Sequence, residues 1–101
     1  MPPETIRVEA DPSEDRYSRL RLIPWWEQEK IRGARVLVVG AGALGNEILK
    51  NLALLGFLHV VVVDLDHIEV SNLSRAILFR PSDVGRSKAD TVARAYRELL
   101  P

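Results

Sequence analysis

An α/β fold built on a parallel sheet is what this sequence predicts, and three observations predict it. Two short runs, Arg35-Val36-Leu37-Val38-Val39 and His59-Val60-Val61-Val62-Val63-Asp64, are too apolar to be half exposed and suit parallel strands covered on both faces. Between them, Leu44, Ile48, Leu49, Leu52 and Leu55 recur at steps of three and four, while Asn46, Glu47, Lys50 and Asn51 fill the other face of the same helix. A glycine-rich turn, Gly40-Ala41-Gly42-Ala43-Leu44-Gly45, joins the first run to that helix. Strand, glycine turn, helix and strand in that order form a Rossmann-like unit.

The remaining elements follow in chain order. Residues 1–15 combine three prolines with acids and few apolar groups, so they cannot bury enough surface to offset their ordering entropy; a mobile acidic arm is predicted there. From Arg16 onward, Tyr17, Leu20 and Leu22 or Ile23 can share a helical face. Pro24 then suits the first turn of a second short helix running to about Ile31, with Trp25 and Trp26 as packing anchors. Gly33 ends that helix, and Gly56 ends the one after the glycine turn. Residues 71–74 read as a loop or a single helical turn, and residues 79–85 as a connection punctuated by Pro81 and Gly85. Ser87 offers an N-cap with Asp90 three residues later. Ala89, Val92, Ala93, Tyr96, Leu99 and Leu100 then form the apolar stripe of a last helix. Two strands and three or four helices are fewer than a doubly wound sheet needs. Residues 16–101 therefore read as the N-terminal portion of a nucleotide-binding domain, with its sheet incomplete.

Composition narrows the function classes. Lys and Arg number 14 against 14 for Asp and Glu, so net charge is zero and a general nucleic-acid footprint is not expected. No long uncharged apolar stretch is present, and the acid-rich start does not resemble a secretory leader, so no membrane role and a cytoplasmic location are expected. Cysteine is absent, which removes a disulfide framework, a thiolate nucleophile and a zinc-thiolate site from these residues. Arg75, Arg80, Arg86, Lys88, Arg94 and Arg97 form a basic stretch, of which solvated helix faces account for most and a polyphosphate contact for some.

The glycine turn carries the strongest chemical signal. Gly40 permits a tight turn out of the strand, Gly42 lets a phosphate approach bare backbone, and Gly45 allows the helix to pack closely. Free amides at the helix start, together with the helix dipole, attract phosphate oxygens. Asp64, nineteen residues beyond Gly45, is placed to accept hydrogen bonds from ribose hydroxyls. A nucleotide with an unphosphorylated ribose fits this pattern, and both dinucleotides and ATP satisfy it. His59 and His67 have no partners at metal-ligand spacing and read as structural or solvent-facing, so no metal site is assigned.

The residues downstream narrow the choice. Asp64-Leu65-Asp66, then Ser71-Asn72-Leu73-Ser74-Arg75 and later Lys88, together with Arg16-Tyr17-Ser18-Arg19 upstream, resemble the ordered motifs of the ubiquitin-activating-like adenylyltransferases, the family of the ThiF, MoeB and HesA types. The resemblance covers roughly residues 16–100. It implies ATP-dependent adenylylation of the C-terminal carboxylate of a small ubiquitin-like or sulfur-carrier protein, which would be the partner. Carried over by position, Gly40, Gly42, Ala43 and Gly45 would lie along the nucleotide and Asp64 would hold the ribose. Asn72, Arg75 and Lys88 would face the phosphates. Arg19 would reach in from a neighbouring subunit, which implies a homodimer.

Three departures qualify that picture. Ala43 stands where many relatives carry another glycine. The aspartate with which the family holds Mg2+ lies beyond a third strand and is absent from this chain, and the transfer cysteine and zinc cysteines of some members are absent too. Two other readings remain open on the sequence: an NAD- or FAD-binding oxidoreductase domain sharing the same turn, and a truncated, non-catalytic interaction module.

Overall fold

The computed structural model describes residues 15–100. A 3-10 turn, Leu20–Leu22, leads to helix α1, Gln28–Gly33, and strand β1, Arg35–Val39. Helix α2, Ala43–Leu55, strand β2, His59–Val63, and helix α3, Lys88–Leu99, follow, with 3-10 turns at Val70–Ser74 and Pro81–Asp83 between the last two. The strands are parallel and in simple register, Arg35 opposite His59 through Val39 opposite Val63. This is the α/β, Rossmann-like architecture expected, with two strands and three α-helices among the described residues. Except for Asp15, the predicted acidic arm lies outside them.

Both long helices lie on one face of the sheet. Leu49 and Ala53 of α2, and Val92 and Tyr96 of α3, close over Val38, with Val36, Val60 and Val62 partly covered beside it. Ile68, Ala76 and Phe79 from the connection complete this core. Burial of such side chains is the main source of stability, at roughly 1.5–3 kcal/mol for each fully buried large apolar side chain. The other sheet face differs from expectation. Leu37, Val39, Val61 and Val63 stay between 44% and 75% exposed, because no element among the described residues lies over them. The strands have the apolar composition of two-sided burial but are covered on one side only.

The helix boundaries show why some local signals are reliable. Helix α2 ends in Gly56 at φ +91°, the left-handed conformation that glycine adopts without strain. Its amide donates to Ala53 O, and Phe57 N donates to Leu52 O at 3.0 Å. A side chain at Gly56 would also collide with the Tyr17 hydroxyl and Gln28 Nε2. Helix α3 starts as predicted: the Ser87 hydroxyl accepts from Asp90 N at 3.3 Å.

The segment before β1 departs from the predicted pair of helices. Pro24 and Trp25 form a turn closed by Trp26 N donating to Ile23 O at 3.0 Å, and α1 begins only at Gln28. Trp25 is exposed and does not anchor the core. The anchors are polar-tipped instead. Tyr17 is buried against Gly56, and Trp26 Nε1 donates to buried Gln28, whose Nε2 donates to Leu55 O at 2.8 Å. That last bond satisfies one of the carbonyls orphaned at the C-terminal end of α2.

Candidate functional site

Parallel pairing puts the carboxyl ends of β1 and β2 side by side, so the glycine turn and Asp64 leave the sheet at the same edge. Gly40 turns the chain with φ +97°, and its amide donates to Val63 O at 2.7 Å, one step beyond the β1 ladder. Gly45 is under the turn. A Cβ there would lie 2.1 Å from Gly40 O, so only glycine lets α2 approach this closely. Gly42 is the opposite case, with nothing within 4 Å of where a Cβ would stand. It is the N-cap of α2, and no side chain caps the helix, which leaves the first amides free to donate outward. Ala43 opens the helix and is half-buried, its methyl group beside those amides.

Asp64 is tied to this turn. One carboxylate oxygen accepts Ala41 N at 2.7 Å and the other accepts Asp66 N at 2.8 Å. Burial pushes its pKa up, but the two amide donors and the nearby Lys88 charge outweigh that and hold it below the ordinary carboxylate value. A carboxylate has about four lone-pair sites, so acceptor capacity remains for further donors such as hydroxyls.

Lys88 arrives at the same edge through backbone pairing. Lys88 N donates to Asp66 O at 3.0 Å, His67 bridges Ser87 in antiparallel fashion, and Ile68 N donates to Arg86 O at 2.8 Å. The start of α3 is thereby held beside the residues that follow β2, with Lys88 half-buried in its first turn. A cation at a helix start opposes the dipole unless an anion offsets it, and the Asp64 charge is such an anion.

The other expected residues are placed differently. Asn72 Oδ1 accepts Glu69 N at 2.8 Å, so this side chain stabilises the 3-10 turn that carries it. Arg75 ends that turn and is exposed. Arg86 and Arg94 belong to a different arrangement, in which they approach buried Asp83 at 3.8 and 3.0 Å. Arg19 is exposed and close in sequence to Tyr17, which packs at the far end of α2. The structure thus brings the glycine turn, Asp64 and Lys88 together and leaves Arg19 remote from them within one chain. Among the described residues, no three His, Asp or Glu side chains converge to hold a metal ion.

Periodicity alone misplaces one residue at the site. Asn46, which the apolar pattern assigns to the outer face of α2, is fully buried, whereas Leu44 is 75% exposed and Ile48 is also exposed. The helix is rotated relative to its apolar pattern because Gly45 must face the turn. The one available signal is spacing, since Asn46 stands three residues before Leu49 and seven before Ala53, on the face that those two bury.

Residues 15–101 match the model of the ThiF family. The chain belongs to that family. Among curated proteins, the NEDD8-activating enzyme E1 catalytic subunit of Caenorhabditis elegans is 51% identical over 83 residues, covering 77% of this chain and 19% of the relative. The SUMO-activating enzyme subunit uba-2 of the same organism is 47% identical over 81 residues, covering 78% of this chain and 14% of the relative. This ThiF-family chain therefore spans less than a fifth of either relative's length. Among solved structures, E. coli MccB crystallised with AMPCPP and selenomethionyl MccA superposes with a TM-score of 0.81 at 32% identity, covering 88% of this chain and 28% of MccB. MccB with ATP superposes with a TM-score of 0.79 at 33% identity, covering 86% of this chain and 28% of MccB.

Proposed function

We propose that this chain is the nucleotide-binding part of an ATP-dependent enzyme that adenylylates the C-terminal carboxylate of a small ubiquitin-like or sulfur-carrier protein. The observation that carries the proposal is the convergence, at one sheet edge, of outward-facing amides at Gly42, the Asp64 carboxylate and Lys88. Membership of the ThiF family and the likeness to MccB crystallised with ATP support the same nucleotide.

In this reaction a carboxylate oxygen attacks the α-phosphorus of ATP, the bond from that phosphorus to the bridging oxygen breaks, and pyrophosphate leaves with the electron pair. The products are an acyl-adenylate and pyrophosphate. Proton transfer is not required for the step, so the protein's contribution is positioning and charge stabilisation. The amides at the start of α2 would hold phosphate oxygens, and Asp64 would accept from the ribose hydroxyls with the lone pairs that Ala41 and Asp66 leave free. Lys88 and Arg75 would neutralise charge on the departing pyrophosphate, with Asn72 holding the turn that Arg75 ends in shape. Mg2+, when bound to ATP, would supply further charge neutralisation. No carboxylate cluster among the described residues is available to ligate that ion. Arg19 acts from a second subunit in this reading, and the working assembly is a cytoplasmic homodimer.

Calorimetric titration with ATP and magnesium, with NAD in parallel and Asp64→Ala as control, tests the proposal. Saturable ATP binding weakened at least tenfold in the variant, without NAD binding, is the expected result, because the loss of a charged acceptor costs about 1.5–3 kcal/mol. Preferential NAD binding would overturn it in favour of an oxidoreductase domain.

A further inference from the structure

Asn46 is fully buried in the first turn of α2, where a short polar side chain is a poor helix former and an unsatisfied amide is costly. It is satisfied. Its Nδ2 donates to Ala41 O and to Gly42 O, both at 2.9 Å, and its Oδ1 accepts Leu78 N at 2.9 Å. One side chain therefore joins the glycine turn to the connection that follows Arg75. Two donors and an acceptor in a planar group of this length are needed at once. A serine offers a single donor, an ionised aspartate offers none, and alanine leaves Ala41 O and Leu78 N without this partner, while Gly42 O keeps the helical bond from Asn46 N.

The peptide geometry gives those bonds a directional consequence. In a trans peptide the carbonyl and the next residue's N–H point in opposite directions. Holding Ala41 O and Gly42 O inward therefore turns the amides of Gly42 and Ala43 outward, away from the core and toward the open space around Gly42. We infer that Asn46 is a positioning residue for the phosphate site: its side chain aims the Gly42 amide, adds to the helical bond from Asn46 N to Gly42 O that sets the Ala43 amide, and fixes the Arg75-bearing connection relative to them. The inference rests on the reading of this turn as a nucleotide site and adds the residue that sets its geometry.

Because Asn46 acts on phosphate-facing groups and not on Asp64, its loss should separate phosphate affinity from nucleoside affinity. Wild type, Asn46→Ala and Asn46→Asp are titrated with ATP and with adenosine by following backbone amide resonances. In Asn46→Ala, ATP affinity is expected to fall about tenfold or more, as for a lost set of buried hydrogen bonds, with adenosine affinity changed less than about twofold. A merely structural role would lower both together in step with the folded fraction, and that outcome overturns the inference. In Asn46→Asp, a carboxyl facing two carbonyls is held toward its neutral form and regains one donor when protonated. Its ATP-to-adenosine ratio should therefore rise relative to wild type as pH falls from about 8 to about 5, and a parallel course overturns the inference as well. If neither variant folds, the wild type alone decides. ATP should move the Gly42 and Ala43 amide resonances more than adenosine does, and equal shifts overturn the inference. Wild type that binds adenosine and ATP equally well defeats this inference but not adenine nucleotide binding, whereas wild type that binds neither defeats both.

Discussion

Asp64 accepts the Ala41 amide through one oxygen and the Asp66 amide through the other, so a single carboxylate ties the glycine turn to the chain that leaves β2. Burial alone would raise its pKa, but the two donors and Lys88 bring it below the ordinary value of 3.8. A group whose folded pKa is depressed stabilises the fold above its unfolded pKa, and that contribution disappears as pH falls through the folded one. Asp64 therefore contributes at neutral pH and is lost on acidification below about pH 4. Asp64→Asn is expected to cost on the order of 1 kcal/mol at pH 7, solvent screening of the half-buried carboxylate keeping it modest. It should also flatten the decline of stability below about pH 4, as urea unfolding at stepped pH would show. A steeper acid decline in the variant would contradict this account. The placement of Asp64 beside the glycine turn was legible because it ends an apolar run that pairs in parallel with the run leading into that turn. Asn46 was not, because a polar residue on an amphipathic helix is assigned to solvent by default and only the packing of Gly45 rotates it inward.

At the scale of elements, α2 and α3 were legible throughout and α1 only in its presence and its end at Gly33, for reasons found in the helix ends. Helix α2 has a glycine turn before it and Gly56 after it, and α3 has Ser87 as a working cap. The segment before α1 has Pro24, which fits a turn as well as a helix start, and its buried groups are Tyr17 and Gln28, too few to show a period. The bond that joins α3 to the loop after α2 is equally hidden from pattern reading: the Tyr96 hydroxyl of α3 donates to Phe57 O just past Gly56. Burial, aided by Tyr17, pushes Tyr96 up to about 12 from its ordinary 10.0. A raised tyrosine pKa means that the contribution is complete below the unfolded value and is lost as pH rises through the folded one. Tyr96→Phe should lower stability by about 1 kcal/mol at pH 7, leaving Phe57 O without this donor. It should also remove the part of the alkaline loss that wild type shows between about pH 10 and pH 12. Circular dichroism melts across that range test both effects, and unchanged stability at pH 7 would show that the hydroxyl contributes nothing to the docking of α3.

Across the whole molecule, the two ends of α2 set the distances that matter. The glycine turn opens its N-terminal end, while Tyr17 packs on Gly56 at the other, with thirteen residues between them. At 1.5 Å per residue that is about 20 Å, beyond the span of an arginine side chain. Arg16 is pinned at that same far end, its Nη1 donating to Leu99 O at 2.6 Å, so Arg19 cannot swing to its own chain's glycine turn without releasing both contacts. If Arg19 serves a nucleotide, it serves one bound to another copy. The sheet face formed by Leu37, Val39, Val61 and Val63, which no described residue covers, is contiguous apolar surface of a kind rarely left in water. Mixing two defective forms tests the geometry directly. Arg19→Ala spoils the donated arginine and Lys88→Ala spoils the receiving site, so each alone should bind ATP at least tenfold more weakly if its cation touches phosphate. If the chain forms the proposed homodimer, an equimolar mixture contains sites formed by Lys88 of one copy and Arg19 of the other that are intact, and about a quarter of all sites should recover wild-type affinity by random pairing. Recovery of that fraction in a titration would require an arginine acting between subunits. A mixture that binds no better than its components would mean that Arg19 acts within its own chain or not at all, and a purely structural part for Arg19 at the end of α2 would be the reading left.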